Sequence, residues 1–269
     1  MLFQKIQRTC GLLITKCTKM LVKRCSFWYN IIGNITLLFR VSGMTLGDKK
    51  EMGEGIMQDY KKIDYAKNKD VVLRYIPGHF VTPNSHVNYY MDLTDMKSRQ
   101  REARATGEEL AEMYMVSDVI DTILCLNSME VVGAYMANKM TKAGIISANS
   151  HKTMYITSPE YNTSGQMMFR ENNQHMIRGK KVLILIDTAT TGETLLGAIR
   201  TIGFYKGEVV GISAIYSVAA QISGIPIRAL YSNHDLPDYA SFETENCPLC
   251  RDGVPVDAIC NGFGYSTIK

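Results

Sequence analysis

The stretch KVLILIDTATTGETLLGAIRTIGF, residues 181–204, constrains the fold more than any other. Five consecutive apolar residues, Val182 to Ile186, lead into Asp187. A short turn rich in threonine follows, and then an amphipathic run closed by Gly203. A strand with no polar alternation is buried on both faces, and a helix directly after it belongs to a βαβ unit, so the sheet must be parallel and covered on both sides. Further runs repeat the pattern. VVLRYI (71–76), HVNYYMDL (86–93), VIDTILCLN (119–127), TMYIT (153–157), VVGISAIYSV (209–218) and IRALYS (227–232) read as strands; 97–116 and 132–142 read as helices. Gly192 to Ile202 is a third helix, with Gly203 as its expected C-cap. The polar segment 147–179 is a long connection, functional or mobile.

In an open parallel sheet, ligands collect at the carboxyl ends of strands. Asp187 is the first polar residue after its apolar run and should project there. Thr190, Thr191, Gly192, Glu193 and Thr194 carry the chain into a helix N-terminus. Free backbone N–H groups, hydroxyls and the positive end of the helix dipole meet at that point, a combination suited to a phosphate. The bland alternative is a well-capped βα turn. Two other phosphate motifs are excluded. Gly192 and Gly197 have P-loop spacing, but Ala198 and Ile199 stand where Lys and Ser/Thr belong, and no G-x-G-x-x-G opens a helix after a strand.

Charge is unevenly spread. Residues 1–40 hold seven basic residues and no acid, so of the net charge of +4 the remainder carries −3. A mildly acidic body argues against a broad nucleic-acid-binding face. In the leader the longest apolar run, Phe27 to Phe39, is broken by Asn30, Asn34 and Thr36, short of the ~20 apolar residues of a membrane span. It reads as a poorly ordered extension, or as sequence upstream of a start at Met44 or Met57, with a cationic membrane-surface helix as the alternative. The seven cysteines form no disulfide framework at this length and fit a reducing, cytoplasmic setting. Cys247 and Cys250 make half of a zinc site; Cys260 is the candidate third ligand and His234, or a partner chain, the fourth. A redox pair and plain buried thiols are the other readings.

The apolar strand, acid and T-T-G-x-T of 182–194 resemble the phosphoribosyl-pyrophosphate (PRPP) motif of type I phosphoribosyltransferases. Two further segments are similar to orotate phosphoribosyltransferase: GHFVTPNSHVNYYMDLT (78–94) resembles its hood, and CLNSMEVVGAYMA (125–137) its pyrophosphate loop. The tail CPLCRDGVPVDAICNGFGYS resembles that of a divergent branch. The resemblance implies an α/β fold with a parallel sheet, a small hood and a Cys-containing C-terminal tail. On that basis the chain divides into an N-terminal extension (1–45), a hood and N-terminal region (46–100), an α/β core (101–245) and the CxxC tail (246–269). It also implies transfer of phosphoribose from PRPP to orotate with Mg²⁺, in a homodimer.

The roles so implied are Asp187 on the ribose diol or its magnesium and Thr190 to Thr194 on the 5′-phosphate. Asn127, Ser128, Met129 and Glu130 would serve the pyrophosphate, and Ser85, Tyr89 and Tyr90 the base. Two departures stand out. Ile186 replaces the first of two usual acids, and the mobile-loop signature K-x-x-K-x-H-G is missing, leaving Lys152 and Arg170 as candidate loop cations. These losses keep open a non-catalytic module binding PRPP or a nucleotide, or a transferase for another base.

Overall fold

The computed structural model describes residues 60–116, 118–150 and 153–268, all within one compact unit spanning Gly55–Lys269. The leader, residues 46–59 of the hood region, and Lys152 lie outside the described residues. In chain order the elements are β1 (Lys61–Tyr65), β2 (Asn68–Val81), β3 (His86–Asp92), α1 (Thr94–Ser98), α2 (Gln100–Glu112), β4 (Thr122–Cys125), α3 (Glu130–Lys142) and β5 (Tyr155–Thr157). There follow β6 (Glu160–Tyr161), β7 (Met167–Met168), α4 (Glu171–Gln174), β8 (Lys181–Ala189), α5 (Glu193–Phe204), β9 (Glu208–Ser217), β10 (Gln221–Ile222) and β11 (Ile225–Ser232). The chain closes with β12 (Ser241–Phe242), α6 (Pro248–Arg251), β13 (Ala258–Asn261) and β14 (Gly264–Thr267).

Two sheets organise these elements. The core sheet has the order β10-β11-β9-β8-β4-β5, parallel except where β10 turns back on β11. Its central strands are buried over most of their length, β4 entirely, as their apolar runs require. Alternate residues divide between two apolar layers. Ile123, Leu183, Leu185 and Ile215 face the layer shared with α2 and α3, whereas Leu124, Ile184, Ile186 and Ile212 face α5 through Leu195, Ala198 and Ile202. The second sheet, β12-β3-β2-β13-β14 with β1 on the flank of β2, joins the hood hairpin to strands of the C-terminal tail.

Local chemistry moves several boundaries away from the sequence reading. The charged helix expected over 97–116 is two helices, broken at Arg99, whose backbone is extended (φ −85°, ψ 121°), and it ends at Glu112. Helix α5 runs through Gly203 to Phe204. The left-handed residue that closes it is Lys206 (φ 64°), with the Gly207 N–H donating to the Ile202 carbonyl at 2.9 Å. The polar 147–179 segment contains β5, the β6/β7 ribbon and α4. Asn162 Oδ1 closes the ribbon's turn by accepting from the N–H groups of Ser164 and Gln166, each at 2.9 Å. Among the described residues no helix is long and apolar enough to cross a membrane.

Helices α2 and α3 touch through Gly107. A Cβ built there would lie 2.6 Å from the Val132 carbonyl oxygen and 3.0 Å from the Met136 nitrogen, both backbone atoms that cannot turn aside. In a free helix Gly→Ala stabilises by about 1 kcal/mol. Here Gly107→Ala should instead cost about 1–3 kcal/mol through overpacking, measured by chemical denaturation. A stabilised variant would show that the helix contact is looser than described.

Candidate functional site

A cavity of about 1250 Å³ opens at the carboxyl ends of β4 and β8, bordered by the hood hairpin, the start of α5 and the β6/β7 ribbon. Asp187 lies at its floor, buried (5% exposed) and two residues before the end of β8. Strand alternation turns Asp187 toward the hood, whereas Ile186 sits in the apolar layer under α5. The single acid therefore faces the cavity side, and the position that departs from the motif is filled by core packing.

The Asp187 carboxylate accepts three hydrogen bonds, one fewer than its roughly four acceptor positions. Oδ1 accepts from the Asn127 side-chain amide at 2.8 Å and from the Thr188 N–H at 2.7 Å; Oδ2 accepts from Lys97 Nζ at 3.1 Å. Lys97 is as deeply placed as its partner and directs its other protons to the carbonyls of Asn127 (3.2 Å) and Gly262 (2.8 Å). All three ammonium donors are thus satisfied. One buried cation joins α1, the β4–α3 loop, β8 and the tail. Sequence reading placed Lys97 at the head of a charged helix and missed this role.

Asn127 and Ser128 are both left-handed, at φ 53° and 63°. Successive residues of this kind are strained for non-glycine side chains and occur where a site requires them; consecutive backbone N–H groups in such a turn can form a concave anion-binding nest. Asn127, Ser128 and Glu130 border the cavity, and Glu130 accepts a hydrogen bond from Ser158 Oγ. Met129 is different: it is the N-cap of α3 and buries its side chain in the core.

Across the cavity, Gly192 is the N-cap of α5 with φ 84°. The positive φ calls for glycine; a Cβ there would also fall 2.5 Å from Ile222 Cδ1, the end of a side chain that can turn aside. No side chain caps this helix among the described residues, which sets aside the bland reading of the threonines as capping groups. Thr190, Thr191, Glu193 and Thr194 all border the cavity beside the uncapped helix end.

On the hood, Thr82 and Ser85 close the β2–β3 turn: the Thr82 N–H and hydroxyl both donate to the Ser85 carbonyl, at 2.8 and 2.9 Å, and the two hydroxyls lie 3.0 Å apart. Tyr89 and Tyr90 both border the cavity, but neighbours on a strand point to opposite faces. Tyr89 meets Tyr75 edge to face at 5.2 Å, while Tyr90 packs on Tyr265 at 4.8 Å. Burial raises the Tyr90 pKa first, and Asp92, Cys260, Tyr265 and Asp187 raise it further.

The loop cations fall out differently. Arg170 forms an exposed pair with Glu160 at 2.8 Å, away from the cavity wall. Among the described residues, the cations on that wall are Lys97 and Arg200. The cysteines need a correction. Cys247 and Cys250 come together with His79 and His86, not with Cys260 or His234. On β13 the inward positions are Ala258 and Cys260, so Cys260 joins the core, where burial pushes its thiol up to about 12.

Over 187 residues the chain is 27% identical to an orotate phosphoribosyltransferase of Thermus thermophilus, an alignment covering 68% of this chain and 93% of that protein. At that modest identity the chain is similar to the orotate phosphoribosyltransferases. An 80-residue match to the Caldicellulosiruptor bescii orotate phosphoribosyltransferase reaches 36% identity, over 29% of this chain and 40% of the other. Solved structures with similarity include a phosphoribosyltransferase from Corynebacterium diphtheriae (21% identity, TM-score 0.44, 61% of this chain and 90% of that one). Another is the Mycobacterium tuberculosis orotate phosphoribosyltransferase in complex with PRPP (20% identity, TM-score 0.41, 55% and 82%). No family model matches the chain.

Proposed function

We propose that the chain transfers the phosphoribosyl group of PRPP to orotate, giving orotidine 5′-phosphate and pyrophosphate. The observation that carries this reading is the 2.8 Å hydrogen bond from Asn127 to Asp187, which locks an anion-binding loop to the one acid of a PRPP-type motif at the floor of one cavity. The N–H groups at the start of α5, with Thr190, Thr191 and Thr194, take the 5′-phosphate; Gly192 gives it close approach, and Glu193 stands at the rim. Asp187 orients the ribose diol. The left-handed turn at Asn127 and Ser128 offers its N–H groups to the pyrophosphate. The ring nitrogen of orotate attacks C1 of the ribose as the C1–O bond to pyrophosphate breaks, and Tyr90, with the Ser85 turn, walls the base.

Catalysis in this scheme is positioning plus electrostatics: an oxocarbenium-like ribose forms beside a fixed carboxylate while the leaving group gathers charge at oriented N–H donors. Mg²⁺ suits the site, because two hard oxygen donors, Asp187 and Glu130, border a cavity sized for a substrate that brings its own phosphate oxygens. When bound, the ion would neutralise charge on the departing pyrophosphate. Arg200 supplies a protein cation to the cavity wall, while Lys97 stays paired with Asp187. The proposal extends to a cytoplasmic homodimer, as the resemblance implies.

Incubating the full chain with PRPP, Mg²⁺ and, in separate reactions, orotate, uracil, adenine and hypoxanthine tests the choice of base. Nucleotide should form with orotate. Formation with a purine instead would keep the chemistry and remove orotate from the account.

A further inference from the structure

A second polar cluster stands outside the phosphoribosyl site. His79 near the end of β2, His86 at the start of β3, and Cys247 and Cys250 around α6 place one ligating atom each within 4.8 Å of all the others. His79, His86 and Cys247 are buried, and both cysteines are free thiols. We propose that these four side chains form a tetrahedral structural zinc site that staples the hood hairpin to the C-terminal tail.

The distances match such a site. With Zn–S near 2.3 Å and Zn–N near 2.0–2.1 Å, a tetrahedron has edges of about 3.3 Å between nitrogens and about 3.6 Å between nitrogen and sulfur. Here His79 Nε2 lies 3.0 Å from His86 Nδ1 and 3.6 Å from each sulfur, and Cys250 Sγ lies 3.3 Å from His86 Nδ1. The outer contact is also in place. His79 Nδ1 sits 2.9 Å from the Val254 carbonyl, which can only accept, so Nδ1 carries the proton and Nε2 presents its lone pair inward. That lone pair meets three heteroatoms at once, more than one hydrogen bond can satisfy, and a cation among them resolves the excess.

The frame is held independently. The His79 N–H donates to Asp257 Oδ2 at 2.8 Å, and the Asp257 N–H returns a bond to the His79 carbonyl at 2.8 Å. Gly78 beside it is needed for space, since a Cβ would come within 2.6 Å of that same Asp257 oxygen. Mixed thiolate and imidazole ligands in a closed four-coordinate set select zinc over the hard cations. The consequence for the fold is specific: the residues between the two histidines, 80–85, include the Thr82–Ser85 turn that borders the cavity. The metal therefore fixes that wall. The proposal does not depend on which reaction the cavity performs.

The test begins with metal content of the full chain by elemental mass spectrometry, followed by exchange for Co²⁺. We expect one zinc per chain and, with cobalt, the intense visible absorption of a tetrahedral thiolate-bound ion. Cys250→Ser should lower zinc at least tenfold, whereas Cys260→Ala should keep it. Should Cys250→Ser fail to fold, hydrogen exchange on the wild-type chain replaces it, and stripping zinc with a chelator should then deprotect residues 79–86. Zinc below a tenth of an equivalent, full zinc in Cys250→Ser, loss confined to Cys260→Ala, a cobalt spectrum without thiolate character, or unchanged exchange after stripping would each overturn the site.

Discussion

Lys97→Met should lower the melting temperature by about 6–12 °C and kcat/KM by about a hundredfold. The stability loss follows from burial. Removing one partner of a buried pair leaves the other charge uncompensated, at about 3–5 kcal/mol. The cavity admits water to Asp187, so the lower end applies, about 3 kcal/mol, and a domain of this size loses ~2–4 °C per kcal/mol. The activity loss follows from position. Lys97 Nζ holds the Asn127 carbonyl as well as Asp187. Without it the loop keeps the Asn127–Asp187 bond but loses the one at the Asn127 carbonyl, which favours relaxation of two left-handed residues, each strained by about 1–3 kcal/mol. Displacements near 1 Å in a reacting geometry cost about a hundredfold. Thermal scanning and steady-state kinetics read the two effects separately.

Asp187→Asn should cut kcat by about 10²–10³-fold, the scale for removing one preorganised electrostatic group. The amide keeps the acceptor for Asn127 and Thr188 and removes the charge, so the shape of the floor survives. Alone, the substitution strands Lys97 and destabilises the chain. Combined with Lys97→Met it should destabilise far less, because both charges of the buried pair are then gone. The double variant is expected to regain most of the stability lost in either single one and none of the activity. If stability did not return, the pair would be serving the fold through contacts other than its charge.

What was legible in the sequence was whatever chemistry is contiguous along the chain. The buried strand, Asp187, the threonine turn and α5 occupy one run of residues, and the phosphate-suited helix start follows from strand length and glycine placement alone. The loop at Asn127–Glu130 rested on the family resemblance, and only the backbone angles show that Asn127 and Ser128 carry its strain while Met129 belongs to the core. Lys97 was not legible, since its neighbours Lys97-Ser98-Arg99-Gln100 read as the start of a charged helix; what buries it lies 90 residues away at Asp187 and 165 away at Gly262. The histidine ligands escaped for the same reason. Cys247 and Cys250 advertised half a site, but His79 and His86 flank a hairpin 168 and 164 positions earlier. Two histidines on either side of a Thr-Pro-Asn-Ser turn were the available signal. Cys260 misled because closeness in sequence to a CxxC says nothing of strand register, and register points it inward.

The measurement closest to the central claim is pyrophosphate release from PRPP by the full chain with Mg²⁺ and orotate, run beside Asp187→Asn. The account predicts release that requires orotate in the wild-type chain and is at least a hundredfold slower in the variant. PRPP binding that depends on Asp187, without pyrophosphate release for any base, would contradict it and make the cavity a sensor of PRPP.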